Sequence, residues 1–141
     1  MSTILFLCNG NACRSQMAEG FARQLAAGRA KVLSAGIEAH GKNPRAVASM
    51  AELDIDISAQ QSTCLDDGML AEADLVVTLC GDADEQCPVL PAGTRRIHWP
   101  LPDPAKASGC DAEIMARFRA VRDDIEQRVK SLLADELEPS Q

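Results

Sequence analysis

Ile4-Leu5-Phe6-Leu7-Cys8-Asn9-Gly10-Asn11-Ala12-Cys13-Arg14-Ser15 is the stretch on which the fold turns. Its first residues are a short apolar run, consistent with a strand buried on both faces. Its last residues lead into Met17, Phe21 and Leu25, which recur at helical spacing, so a helix is expected over about residues 16–27. Between strand and helix lies a tight loop. Such a loop aims backbone N–H groups and the positive end of a helix at one point, an arrangement suited to an oxyanion.

The rest of the chain repeats the alternation of strand and helix. Lys31–Ser34 reads as a second short strand, ended by Ala35-Gly36. Asn43-Pro44 is a cap followed by Pro at the first helical position, opening a helix to about Leu53. Leu65–Ala73 reads as a short helix, Leu75–Leu79 as the clearest β-branched strand, and Arg95–Trp99 as a further strand. Three prolines within Trp99–Pro104 demand a loop. Over residues 112–134, Ile114, Phe118, Val121, Ile125, Val129 and Leu132 form the apolar stripe of a long amphipathic helix. Strands alternating with helices imply parallel pairing in an α/β layer fold. At 141 residues, with no repeat or linker, one domain spanning 1–141 is expected.

Composition narrows the function. Hydrophobic residues make up 46% and aromatics 3%, with no Tyr, so the core is aliphatic. A formal net charge of -7 argues against nucleic acid or an anionic membrane as partner. The N-terminal apolar run is short and has no basic flank, so neither a signal peptide nor a membrane span is expected, and the cytoplasm is the expected location. In that compartment the six cysteines (Cys8, Cys13, Cys64, Cys80, Cys87 and Cys110) are expected as reactive thiols or ligands rather than structural bridges.

Cys8 and Arg14 give the loop its chemistry. A helix N-terminus and a neighbouring cation favour the thiolate, the reactive form of Cys8. Ser15 can donate a hydrogen bond to the sulfur, and the Arg14 fork can hold two oxygens of a tetrahedral oxyanion. Gly10 permits unusual backbone turns, and Asn11 can tie the loop down. Asn9, Gly10, Asn11, Ala12, Cys13 and Arg14 are therefore the expected anion-binding set, with Cys8 the nucleophile. Cys13 is expected to be packed in the loop, or to be an off-pathway disulfide partner.

Cys80-Gly81-Asp82-Ala83-Asp84-Glu85-Gln86-Cys87-Pro88 is the second informative stretch. Ligands in α/β sheets lie outside the carboxyl ends of the strands, where Cys8 and Cys80 both fall. If their strands are neighbours, about 4.8 Å apart, the two thiols approach each other. Cys80 and Cys87 are separated by a rise of about 10.5 Å on a continuous helix. A disulfide needs Cα atoms within about 7 Å, so bridging requires the segment to unwind. The layout suits a relay in which Cys8 takes the substrate, Cys80 attacks the adduct and Cys87 attacks Cys80. Two unrelated surface thiols, or a zinc pair with His98, are the other readings. The acidic run Asp82, Asp84 and Glu85 is a solvated face or a docking surface for a redox partner. Asp103, stiffened by Pro104, can hold a proton over the cradle for a leaving oxygen, or simply start a turn. His40 and His98 show no partner and read as structural, and Cys64 and Cys110 as bystanders.

Taken together, Cys8–Gly20, Ser34-Ala35-Gly36-Ile37-Glu38, Asp54–Ser58, Leu75–Pro91, Asp103-Pro104-Ala105 and Val121-Arg122-Asp123 resemble the thioredoxin-coupled arsenate reductases. The resemblance implies a low-molecular-weight tyrosine phosphatase-like fold, a three-layer sandwich around a parallel four-stranded sheet. It implies that Cys8 attacks arsenate with Arg14 and Ser15 as loop partners, and that Cys80 displaces arsenite. Cys87 then resolves, Asp103 is the general acid, and thioredoxin reduces a Cys80–Cys87 disulfide in a monomer without bound cofactor. Some members bind potassium beside the loop. Asn11, Glu19 and Ser34 match that site, whereas Gln61 and Thr63 stand where Thr and Asp are expected, and no metal is assigned. Lys106–Glu113 is longer than usual for the family. A tyrosine phosphatase using Cys8, Arg14 and Asp103 alone, and a thiol-based redox sensor, are the alternatives.

Overall fold

A computed structural model describes residues 2–11, 13–39, 41–80, 90 and 92–136. Four strands, β1 (Ser2–Cys8), β2 (Ala30–Gly36), β3 (Leu75–Thr78) and β4 (Arg95–His98), form one sheet of order β2-β1-β3-β4. Every pairing is parallel. Among the described residues four α-helices accompany them: α1 (Arg14–Ala26), α2 (Pro44–Ala51), α3 (Asp67–Glu72) and α4 (Asp111–Glu136). The expected α/β class holds, and each expected strand and helix among the described residues is present.

The order places the site. From β1 the chain steps to β2 on one side, then crosses to β3 on the other. Right-handed crossovers put those two connections on opposite faces, giving helices above and below the sheet. α1, α2 and α4 pack on one another, and α3 meets β1. The direction of winding reverses between β1 and β3, which opens a crevice outside their carboxyl ends. Cys8 closes β1 at that crevice, and Cys80 lies two residues beyond β3.

Burial explains why these strands are central. Ile4, Leu5, Phe6 and Leu7, and Leu75, Val76 and Val77, are all within 1% of complete burial, as strands covered on both faces require. The α4 stripe is also seated: Phe118, Val121, Ile125, Val129 and Leu132 are buried. Burying each such side chain stabilises the fold by about 1.5–3 kcal/mol. Asn43 caps α2, its side chain accepting the Arg45 N–H at 2.9 Å, with Pro44 at the first position.

Element ends differ from the sequence expectation in two instructive places. α1 starts at Arg14, two residues before its apolar pattern becomes visible. Pro104, expected in a loop, begins a 3-10 turn Pro104–Lys106 capped by Asp103.

Candidate functional site

The cradle is built by the end of β1 and the first turn of α1. Cys8 is 2% exposed, and its Sγ lies 2.8 Å from Ser15 Oγ. Asn11 Nδ2 donates to the same Ser15 oxygen at 2.7 Å. The Ser15 hydroxyl keeps its hydrogen and is within reach to donate it to the Cys8 sulfur. Among the described residues of this loop the one in the left-handed region is Asn11, with φ of 49°, not Gly10. Asn tolerates that conformation better than most side chains.

Asn11 is fixed from every side. Nδ2 also donates to Ser34 Oγ at 3.1 Å, and Oδ1 accepts the Thr63 N–H at 2.7 Å. Gln16 Nε2 donates to the Asn11 carbonyl at 3.0 Å and to the Gln61 carbonyl at 3.0 Å, while Gln16 Oε1 accepts from Gln60 Nε2 at 2.7 Å. Gln16 thus ties the loop to residues 60–63. Sequence reasoning missed it, because a polar residue beside an apolar stripe looks like any solvated helix position. Gly36 was read only as a strand end. A Cβ there would stand 2.6 Å from the Asn11 nitrogen and 2.8 Å from the Gly10 carbonyl carbon, so glycine lets β2 and the loop touch.

Arg14 is 7% exposed and faces the opposite wall. Nη1 donates to the Leu101 carbonyl at 3.1 Å and the Leu79 carbonyl at 3.5 Å, and Nη2 lies 3.5 Å from Asp103 Oδ2. Its Nε is buried without a protein partner. A buried guanidinium N–H without an acceptor is costly, and an oxyanion in the cradle would satisfy it. Cys13, the N-cap of α1, makes no side-chain bond to the first turn, so it leaves the helix-end amides to an anion as well.

Asp103 starts a turn and also lies beside the cradle. Oδ1 accepts the Ala105 N–H at 3.0 Å, starting the turn, and the same carboxylate reaches the cradle at Arg14. Cys13 Sγ lies 3.8 Å from Asp103 Oδ1. Burial, then the charges of Asp103 and Cys8, push the Cys13 thiol up to about 12, so it stays protonated at neutral pH. Cys13 is therefore the packed thiol of the loop.

The register of β1 and β3 puts the second thiol at the same edge of the sheet. Leu7 pairs with Thr78, and the Leu79 N–H donates to the Leu7 carbonyl at 2.8 Å. Cys80, 7% exposed, therefore leaves the sheet on the strand adjoining Cys8 and at the same edge. Cys87, Ala12, His40 and the acidic run Asp82, Asp84 and Glu85 lie outside the described residues. His98 does have a partner: its Nδ1 is 2.9 Å from Thr78 Oγ1. Cys64 and Cys110 are exposed, and Cys110 heads α4, its carbonyl accepting the Ile114 N–H at 3.0 Å.

A thiol, a buried guanidinium with a vacant donor, uncapped helix amides and a carboxylate thus converge on one point. Comparison with known proteins agrees with that chemistry. The model of the low molecular weight phosphotyrosine protein phosphatase family matches residues 3–140. The arsenate reductase of Bacillus subtilis is 56% identical, covering 90% of this chain and 91% of that protein. A solved arsenate reductase in the phosphate binding state superposes with a TM-score of 0.78 at 37% identity, covering 96% of this chain and 98% of its own. The thioredoxin-dependent arsenate reductase of Corynebacterium glutamicum superposes with a TM-score of 0.77 at 26% identity, covering 96% of this chain and 61% of that one.

Proposed function

The chain belongs to the low molecular weight phosphotyrosine protein phosphatase family, and from that premise we propose that it reduces arsenate to arsenite by a three-thiol relay regenerated by thioredoxin. Relatives of the same length that are arsenate reductases support the reaction. One geometric observation carries the proposal beyond hydrolysis: a second buried thiol, Cys80, follows the strand paired with the one that ends in Cys8. A phosphatase has no use for it.

The Cys8 thiolate attacks arsenic(V), held by the loop amides and Arg14, and one oxygen leaves as water with a proton from Asp103. Cys80 attacks the Cys8 sulfur. A Cys8–Cys80 disulfide forms, the sulfur–arsenic bond breaks, and its electron pair stays on arsenic, which departs as arsenite. Cys87 attacks Cys80, freeing Cys8 and forming a Cys80–Cys87 disulfide. The dithiol of thioredoxin supplies two electrons and two protons to restore both thiols. Arsenic accepts the electron pair, whereas phosphorus in the same cradle undergoes only ester hydrolysis, so weak phosphatase activity is expected alongside. The thiols require a reducing compartment, consistent with the cytoplasm. Among the described residues no helix is long and apolar enough to cross a membrane.

The test is arsenite formation from arsenate with thioredoxin, thioredoxin reductase and NADPH. Wild type turns over continuously, Cys80→Ser releases no arsenite, and Cys87→Ser stops after a single turnover. Full turnover by Cys87→Ser defeats the relay. Glutathione with glutaredoxin outperforming thioredoxin defeats the partner assignment. Cleavage of p-nitrophenyl phosphate survives both substitutions.

A further inference from the structure

Glu19 is a buried carboxylate directly behind the anion loop. Its side chain is 7% exposed, and such a charge must be compensated. Ser34 Oγ donates to its Oε1 at 2.5 Å, and Arg23 Nε donates to its Oε2 at 2.6 Å. Arg23 is anchored a second time, Nη2 donating to the Val32 carbonyl at 3.2 Å. Glu19 is one end of a chain of contacts that runs through Ser34, Asn11 and Ser15 to the Cys8 sulfur. The pocket is thus joined to the nucleophile by hydrogen bonds.

The family resemblance raises a monovalent cation for this pocket, and the residues present do not fit one. A cation in this pocket must compete with the donors already pointing at its oxygens. Both Glu19 oxygens, Asn11 Oδ1, Ser34 Oγ and the carbonyls of Gln61 and Thr63 each already accept an N–H or O–H. Asn11 turns its amide N–H, not its oxygen, toward Ser34. Gln61 and Thr63 add no charge, so Glu19 is the one anionic side chain among these groups, and a guanidinium is already on it.

We propose that Arg23 is the built-in cation of this pocket, replacing a bound monovalent ion, and that vacating it converts the protein into a potassium-responsive one. Arg23 is suited to this because it is attached to the next turn of the same helix, at i+4 from Glu19, and is always protonated. Its side chain is 57% exposed, so it closes the pocket from the surface and can be shortened without opening the core. A cavity of about 490 Å³, lined by Glu19, Arg23, Ser34, Asp56, Gln61 and Thr63 among others, adjoins the pair. Without the guanidinium, Glu19 Oε2 faces that space, which has room for a hydrated ion.

The experiment is thermal unfolding of the full chain in KCl, NaCl and choline chloride at equal ionic strength, with no arsenate or thioredoxin present. Its outcome is therefore independent of the reaction proposed above. Wild type melts at the same temperature in all three salts. Arg23→Ala melts roughly 5–10 °C lower in choline chloride, the cost of a stranded buried carboxylate, and KCl restores at least about half of the loss. Arg23→Lys keeps the charge and is insensitive to the choice of cation. Glu19→Gln combined with Arg23→Ala abolishes the potassium response. A wild type that potassium stabilises over choline overturns the proposal. So does an Arg23→Ala protein that melts like wild type, or one that responds alike to all three salts. Should Arg23→Ala not fold, Arg23→Gln and the wild-type comparison carry the same test.

Discussion

The two walls of the site are held in different ways. The loop wall, Cys8 to Ser15, is fixed by short bonds: 2.7 Å from Asn11 to Ser15, 2.7 Å from Thr63 to Asn11, 3.0 Å from Gln16 to the Asn11 carbonyl. The facing wall, Leu101 to Asp103, meets the cradle through one bond of 3.1 Å, from Arg14 to the Leu101 carbonyl, while Asp103 itself makes only longer contacts with it: 3.5 Å from Arg14 and 3.8 Å from Cys13. The tightest bond of Asp103 is to its own turn, at Ala105. The difference separates two tasks. Donors that stabilise a developing charge work best when their geometry is set before the ion arrives. A proton donor acts on one oxygen at one step, and an anchor in its own turn with a loose hold on the cradle is sufficient for it.

Arg14 reaches from the loop wall to both Leu101 and Asp103 of the facing wall, so changing it has the largest expected effect. Lys cannot reproduce the bond to Leu101, the approach to Asp103 and the vacant Nε–H together. Arg14→Lys is expected to lower kcat/KM for arsenate by about 10²–10³. A loss under tenfold would mean that the loop amides alone hold the ion and that the walls act separately.

Asp103→Asn comes next, with kcat lower by about 10² and the reaction of Cys8 with iodoacetamide unchanged. Ser15→Ala does the reverse. It slows alkylation of Cys8 at pH 7 by about tenfold, the worth of one hydrogen bond to a charged group, and Asn11→Ala slows it in the same direction. If Asp103→Asn also slows alkylation, the facing wall helps to set the nucleophile and the contrast between the walls fails.

The same contrast explains what the sequence disclosed. β1, its loop and the helix after it were legible because an apolar run changes to a helical period there. Cys8 and Arg14 are local features of that change. The first turn of α1 was not legible as helix, because Arg14 and Ser15 face the site rather than the core and so fall outside the hydrophobic period. That Cys8 and Cys80 follow neighbouring strands at one edge of the sheet was legible only on condition that β1 and β3 pair, which they do. Asp103 was visible through its flanking prolines, but its contact with Arg14 was not. Gln16 and Arg23 went unnoticed as parts of the site, and Glu19, Gly36 and Thr63 entered only through the family resemblance, without the contacts they make. Most of what they do depends on partners tens of residues away, and no local signal marks a residue whose partner is set by the packing of the sheet.

Cys13 lies between the walls, and its thiol offers the smallest and most selective test. Its folded value is about 12 against an ordinary 9.0, raised first by burial and then by the charges of Asp103 and Cys8. The folded state therefore keeps a proton that the unfolded chain releases. The associated stability is fully present below about pH 9 and is lost as pH rises toward 12. Between about pH 9 and 10.5 the loss from this one group is about 2 kcal/mol. Cys13→Ala removes the titration, so its unfolding free energy in urea falls less steeply over that range than that of wild type. Any packing cost of the substitution shifts both ends of the curve equally and leaves the slope to report the thiol. Parallel curves would mean that the Cys13 thiolate is tolerated between the walls, and that the gap beside Asp103 is wetter and looser than its burial indicates.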